Sequence, residues 1–292
     1  MSLHNPLEQR LSDIPVREQH LTVCGSETRV WSYGPETADH TIFLVHGFRG
    51  THHGLLSLVA AMPDVRFIAP DLPGFGESSP LPRPHTLDAY AEWLQDALNQ
   101  LDPAGTAIVL GHSFGSLIVA RQVQRLRDRR IVLVNPISEN ALSGPERIGT
   151  AIAVGYYRLG AVLSAPLGQA LLSSSLITRI MSEVMVTTRS RALRRWIHDQ
   201  HHRYFSRFTG RDVLLEAFQA SVSDAVSAQA ADFPPGTQLV VGERDAIAPL
   251  AASRRLHEAM PGSQLHIVGG VGHLIHYEAP LALARILREW LD

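Results

Sequence analysis

Residues 107–115 read Ala107-Ile108-Val109-Leu110-Gly111-His112-Ser113-Phe114-Gly115: an apolar run, then a serine with a glycine two residues away on either side. A helix-period segment follows from Ser116, so the context is strand, tight turn, helix. A serine on so sharp a turn takes a strained backbone conformation. The chain closes around it only if its neighbours carry almost no side chain. Such a turn holds the Ser113 hydroxyl above a sheet edge. It also aims the Phe114 N–H and a helix N-terminus at the space where negative charge would develop. A bare G-x-S-x-G is a weak pattern, and its weight here comes from the elements around it.

Three further apolar runs lie on either side: Thr41-Ile42-Phe43-Leu44-Val45, Ile131-Val132-Leu133-Val134 and Leu239-Val240-Val241. None shows polar alternation, as expected of central parallel strands covered on both faces. Leu87, Tyr90, Leu94, Leu98 and Leu101 recur at helical spacing, with Thr86 placed to cap them. Leu117, Ile118, Val123 and Leu126 repeat the pattern. Pro280 suits a first helical turn before Leu283, Ile286, Leu287 and Trp290. This alternation predicts an α/β fold with a doubly wound, mostly parallel sheet. Residues before about 40, with Arg29–Tyr33 as one strand, predict an antiparallel edge.

The strand pattern stops after Val134 and resumes at Gln238. Residues 138–232 therefore read as an all-helical lid inserted into a core formed by 1–137 and 233–292, over the carboxyl edge of the sheet. Inside the lid, Leu159 to Thr178 carries no charge. That length could span a bilayer, but Pro166, Gln169 and Ser173-Ser174-Ser175 argue against a span. Two readings stay open: a helix pair packed on the core, or an apolar wall around a substrate.

A serine hydroxyl needs a base to become a nucleophile at neutral pH. Of the downstream histidines, His273 stands in the glycine-rich loop Gly269-Gly270-Val271-Gly272-His273, after the strand-like Leu265–Val268. His266 falls inside that strand and reads as structural, and His276 reads as pocket lining or support. The acid is expected after another strand, where Asp245 follows Leu239–Val241; Glu243 and Glu139 are competitors. The order Ser113, Asp245, His273 is the nucleophile, acid, base order of strand–turn–helix serine sites. The second oxyanion donor is expected in His46-Gly47-Phe48-Arg49-Gly50, with Phe48 N–H as donor and His46 propping the loop. The pairs His52-His53 and His201-His202 lack acidic or cysteine partners at ligand spacing, so no metal site is expected.

The chain has 292 residues, 45% of them hydrophobic and 18% charged, which is ordinary globular composition. A net charge of −2 without a long charge run gives no nucleic-acid surface. The single cysteine, Cys24, excludes an intrachain disulfide and reads as a small packing residue. Glu8 and Arg10 stand where a signal peptide would place its apolar core, so a cytoplasmic location is expected. The oligomeric state is not legible.

Together these motifs resemble the α/β-hydrolase superfamily, specifically its lid-bearing esterase, C–C bond hydrolase and peptidase-like branch. The matching pieces are His46-Gly47-Phe48, Asp71-Leu72-Pro73-Gly74-Phe75-Gly76-Glu77-Ser78, the turn at Ser113, Gly242 to Pro249, and Gly272-His273 followed by Glu278 and Pro280. The resemblance implies a Ser113–His273–Asp245 triad, no metal or organic cofactor, and a largely apolar small-molecule ester as substrate. It implies a shaping role for Asp71–Ser78. Ser113 stands where branches acting on haloalkanes or epoxides carry aspartate, which disfavours those activities. Arg49 beside the oxyanion loop reads first as an exposed loop arginine and second as a carboxylate clamp, the latter pointing to a C–C hydrolase or lyase-like member. His112 and His276 join Arg49 as candidate substrate contacts. A receptor on a hydrolase scaffold is the alternative of another class.

Overall fold

The computed structural model describes residues 6–140, 147–205 and 207–292. Eight strands form one sheet: β1 Val16–Val23, β2 Ser26–Tyr33, β3 Thr41–Val45, β4 Arg66–Pro70, β5 Ile108–His112, β6 Ile131–Val134, β7 Gln238–Gly242 and β8 Gln264–Val268. Their order is β1-β2-β4-β3-β5-β6-β7-β8. β1 and β2 are antiparallel, and the other pairs beyond β2–β4 are parallel. The helices are α1 Pro6–Ser12, α2 Leu56–Ala61, α3 Leu87–Leu101, α4 Phe114–Arg121, then α5 Arg147–Val162, α6 Ala165–Leu172, α7 Ser175–Met185, α8 Arg191–Tyr204 and α9 Arg211–Val222. After β7 come α10 Leu250–Ala259, α11 Ile275–Glu278 and α12 Pro280–Leu291.

The unbroken apolar runs have a direct cause. Phe43, Val109, Leu133 and Leu239 enter the core on one face with α3 and α4. Ile42, Ile108, Val132 and Val240 enter the core on the other face with α2 and α12. Thr86 caps α3 by accepting the Ala89 N–H at 3.1 Å, and Pro280 opens α12. Two helix expectations shift: α4 starts at Phe114 rather than Ser116, and it ends at Arg121, so Val123 and Leu126 lie beyond it. Cys24 turns out to sit in the two-residue β1–β2 turn, where it and Gly25 both have positive φ, as a tight hairpin turn requires.

Between β6 and β7 the described residues hold five α-helices, a 3-10 helix at Val226–Asp232 and no strand. Three sets of bonds pin this insertion over the carboxyl ends of the parallel strands. Gly76 N–H donates to Arg207 O and Thr209 N–H to Gly74 O. The Glu278 carboxylate accepts the N–H groups of Thr187 and Thr188. The third set involves Arg49. The uncharged stretch Leu159–Thr178 spans the end of α5, all of α6 and the start of α7, and α5 and α6 pack so closely that a Cβ on Gly168 would stand 2.3 Å from Gly160 O. The stretch buries Gly168, Leu172 and Thr178 but exposes Leu159, Val162, Leu167 and Leu176. No helix among the described residues is long and apolar enough to cross a membrane.

Candidate active site

Ser113 follows β5 and has φ +53°, a conformation that costs a non-glycine residue energy. The flanking glycines are required: a Cβ on Gly115 would stand 2.1 Å from Val45 O, and one on Gly111 would stand 2.8 Å from Gly115 O. Ser113 N–H donates to Val134 O and Ser116 Oγ to Ser113 O, so the backbone of the turn is held independently of the Ser113 side chain. Phe114 begins α4. Among the described residues neither its N–H nor that of Phe48 donates to a protein atom.

The three residues singled out by their order in the chain come together. Ser113 Oγ lies 2.9 Å from His273 Nε2, and His273 Nδ1 lies 2.8 Å from Asp245 Oδ2. Burial pushes the Asp245 carboxyl up, but the His273 ring, the Ala248 N–H and Asn135 outweigh it and hold it below its ordinary value. Asp245 is therefore an ionised acceptor. His273 Nδ1 must carry the proton, and Nε2 is left to accept the Ser113 O–H. The competing acids are engaged elsewhere: Glu243 accepts Gly270 N–H, and Glu139 pairs with Arg255. His266 bonds Gln238 within the sheet.

Asn135 completes the arrangement and was not foreseen. It follows β6 with φ +45°, a conformation asparagine tolerates better than most residues. Its Nδ2 donates to Asp245 Oδ2 at 2.5 Å and to Gly272 O at 3.1 Å. Thus five adjacent parallel strands each end in one piece of the cluster: Phe48 after β3, Ser113 after β5, Asn135 after β6, Asp245 after β7 and His273 after β8. This is the edge where open parallel sheets place their sites.

The oxyanion-loop candidates are held firmly. His46 Nε2 accepts Leu72 N–H, so its Nδ1 carries the proton and donates to Gly47 O. Asp71 is buried and accepts His52 N–H, His52 Nδ1–H and Glu77 N–H, which fixes the loop after β4. Arg49 is not an exposed loop residue: it is fully buried with φ +59°. Its guanidinium donates to Leu172 O at the end of α6, to Phe205 O just past α8, and to the Tyr157 hydroxyl. Helix carboxyl ends suit a cation, so Arg49 locks the β3 loop to the insertion. The Phe48 ring stands against Phe75, Phe114, Tyr157 and Phe218 at centroid distances of 5.8–6.4 Å.

His112 and His276 are both buried, with ring centroids 4.3 Å apart, and His112 Nε2 faces His273 O at 3.4 Å. Burial, with His273 adding to it, pushes the His112 pKa down to about 3. Burial does the same to His201 on α8, also to about 3. These are bases disfavoured as cations in the folded chain, so the unfolded chain binds their protons first. Their contribution to stability is complete above the ordinary histidine value of 6.5 and drains away between 6.5 and 3. Urea unfolding should show a loss of roughly 1 kcal/mol per histidine between pH 6.5 and 5.5, growing by about 1.4 kcal/mol for each further unit. Equal stability at those two pH values would contradict neutral burial of these rings. Asp71 and Asp245, both held low, act only below the ordinary carboxylate value of 3.8.

Known proteins share this architecture. An uncharacterized protein of Mycobacterium tuberculosis is 28% identical over 272 residues, spanning 86% of this chain and 75% of its own. The 2-hydroxymuconate semialdehyde hydrolase of Pseudomonas putida is 29% identical over 233 residues, 77% of this chain and 76% of that one. An esterase structure from Thermogutta terrifontis superposes with a TM-score of 0.73 over 94% of this chain and 98% of that one; at 22% identity the likeness is one of fold. The sequence pattern of the alpha/beta hydrolase family matches residues 42–286, from β3 into α12, and so takes in every strand end that contributes to the cluster. With that span matched and the sheet order as observed, the chain belongs to the α/β-hydrolase family.

Proposed function

We propose that this hydrolase cleaves an ester-like bond of a small to medium, largely apolar substrate through an acyl-enzyme. The observation that carries this reading is the unbroken string from Ser113 Oγ through His273 to Asp245, at 2.9 and 2.8 Å. Ser113 Oγ attacks the carbonyl carbon as its proton passes to His273 Nε2, and Asp245 stabilises the imidazolium. The oxyanion is held by the Phe48 and Phe114 N–H groups, one such donor being worth about 3 kcal/mol. The imidazolium gives its proton to the leaving alkoxide. Water, deprotonated by the same nitrogen, then attacks the acyl carbon, and the proton returns to Ser113 as the acid departs. Residues 138–232 serve as a cap on the core of 1–137 and 233–292. The aromatic cluster around Phe48 favours an apolar acyl group.

A second reading, hydrolysis of a carbon–carbon bond in a carboxylate-bearing substrate, is favoured by the 2-hydroxymuconate semialdehyde hydrolase among the relatives. A serine-directed fluorophosphonate should label the protein once, at Ser113, and leave Ser113→Ala unlabelled. Turnover of a panel of esters, amides and vinylogous diketones then separates the two chemistries. An unlabelled, inactive protein that still binds such compounds would overturn both in favour of a receptor.

A further inference from the structure

We infer that the outer face of the helical insertion docks on an anionic lipid surface. Helix α7 is turned inside out: it buries Thr178 and Ser182 and exposes Leu176, Ile180 and Val184, which lie one turn apart along one stripe. Helix α5 likewise exposes Ile152, Leu159 and Val162, which share a helical face. The first turn of α6 adds Pro166 and Leu167, and Val162 at the end of α5 is 79% exposed. Elsewhere the large apolar side chains exposed among the described residues, Val16, Ile247, Ile267 and Leu281, are scattered. Single exposed residues are normal, but three consecutive helices with apolar outer faces mark a surface that something covers.

Charge selects the occupant. Residues 147–210, which hold α5 to α8, contain nine arginines against two acids, Glu183 and Asp199, whereas the whole insertion of 138–232 contains ten arginines against eight acids. With histidines neutral this stretch carries +7 and the insertion as a whole +2, so the positive charge is concentrated on α5 to α8. Both acids are already paired, Glu183 with Arg179 and Arg194 and Asp199 with Arg203. Arg158, Arg189, Arg191 and Arg195 are exposed and have no acidic partner among the described residues. A second copy of the same face would set one cationic patch against another. An anionic bilayer accepts both features at once, with the apolar stripes sunk to the headgroup boundary and arginines among phosphates. Since no described helix is long and apolar enough to cross, the attachment lies in the surface. It would present the insertion side of the fold, above the carboxyl edge of the sheet, to molecules dissolved in lipid.

Cosedimentation of the full chain with vesicles tests this. Vesicles of phosphatidylcholine with about one third phosphatidylglycerol should bind at least roughly tenfold more protein than phosphatidylcholine alone at about 0.05 M salt, and the excess should shrink at about 0.5 M. Val162→Glu with Leu167→Glu, and separately Leu176→Glu with Ile180→Glu, should abolish binding. Arg191→Glu with Arg195→Glu should weaken it and reduce its salt dependence. All six positions are exposed and outside the active site, so fluorophosphonate labelling should persist in each variant. Failure of the wild-type chain to bind anionic vesicles, or binding undiminished in all three variants, would overturn the inference. So would a solution dimer that the glutamate variants dissociate while wild-type protein ignores vesicles. Each of these results leaves the labelling of Ser113, and the hydrolase reading, standing or falling by itself.

Discussion

Ser113→Ala should lower kcat on a short activated ester by roughly 10⁴- to 10⁶-fold while leaving the thermal unfolding midpoint within a few degrees of wild type. The size of the loss follows from what alanine lacks: no atom remains to form the acyl bond, and the other parts of the site cannot supply one. Preservation of the fold follows from the hydrogen bonds. The turn is held by Ser113 N–H to Val134 O and by Ser116 Oγ to Ser113 O, neither of which involves the Ser113 side chain. Alanine and serine bear the same cost at φ +53°, so backbone strain does not change between them. The missing bond from Oγ to His273 Nε2 is worth about 1 kcal/mol at most. Stopped assays on the purified variant, beside circular dichroism, decide the matter. A variant that keeps more than about a tenth of wild-type kcat would show that another group is the nucleophile.

What could be read from the sequence was whatever rests on local chemistry and chain order. The strands β3, β5, β6 and β7 announced themselves because both faces are buried, so no polar residue interrupts them. β4 gave no such run: it opens on Arg66 and closes on Pro70, tolerated at the strand end. β1, Val16–Val23, is an edge strand exposed over most of its length, and polar residues dominate it. Ser113 and Asp245 were singled out because each follows a buried strand, and His273 because it stands in a glycine-rich loop after β8, in the chain order this site requires. Asn135 needed knowledge that β6 lies between β5 and β7 in the sheet, which the chain order alone does not give. Its only local signal was an asparagine directly after an apolar run and before Pro136. Arg49 was misread because its acceptors lie 108, 123 and 156 residues along the chain, on helices whose ends no periodicity could place against the β3 loop. The same holds for α5 to α7. Periodicity finds an apolar stripe but cannot say whether it faces the core or the solvent.

Asp245→Asn should lower kcat by about 10⁴-fold although it changes one atom. Asp245 accepts four bonds: Oδ1 takes the N–H groups of Ile247 and Ala248, and Oδ2 takes His273 Nδ1–H and Asn135 Nδ2–H. An amide at this position can keep its oxygen toward Ile247 and Ala248 only by turning its NH₂ toward two groups that also donate. The clash is relieved if His273 moves its proton to Nε2, but Nε2–H can no longer accept from Ser113. Turning the amide the other way restores Nδ1–H and instead sets NH₂ against two backbone N–H groups, which cannot change their chemistry. The backbone therefore selects the wrong histidine tautomer. The buried donor left facing Asn135 should also cost about 1–3 kcal/mol of stability. Asn135→Ala distinguishes tautomer control from general loosening. It removes one of the four donors but leaves the carboxylate holding Nδ1–H, so kcat should fall by about tenfold or less. Steady-state kinetics on both variants measure the contrast. Equal losses in the two would mean that Asp245 acts through packing and not by fixing the His273 proton.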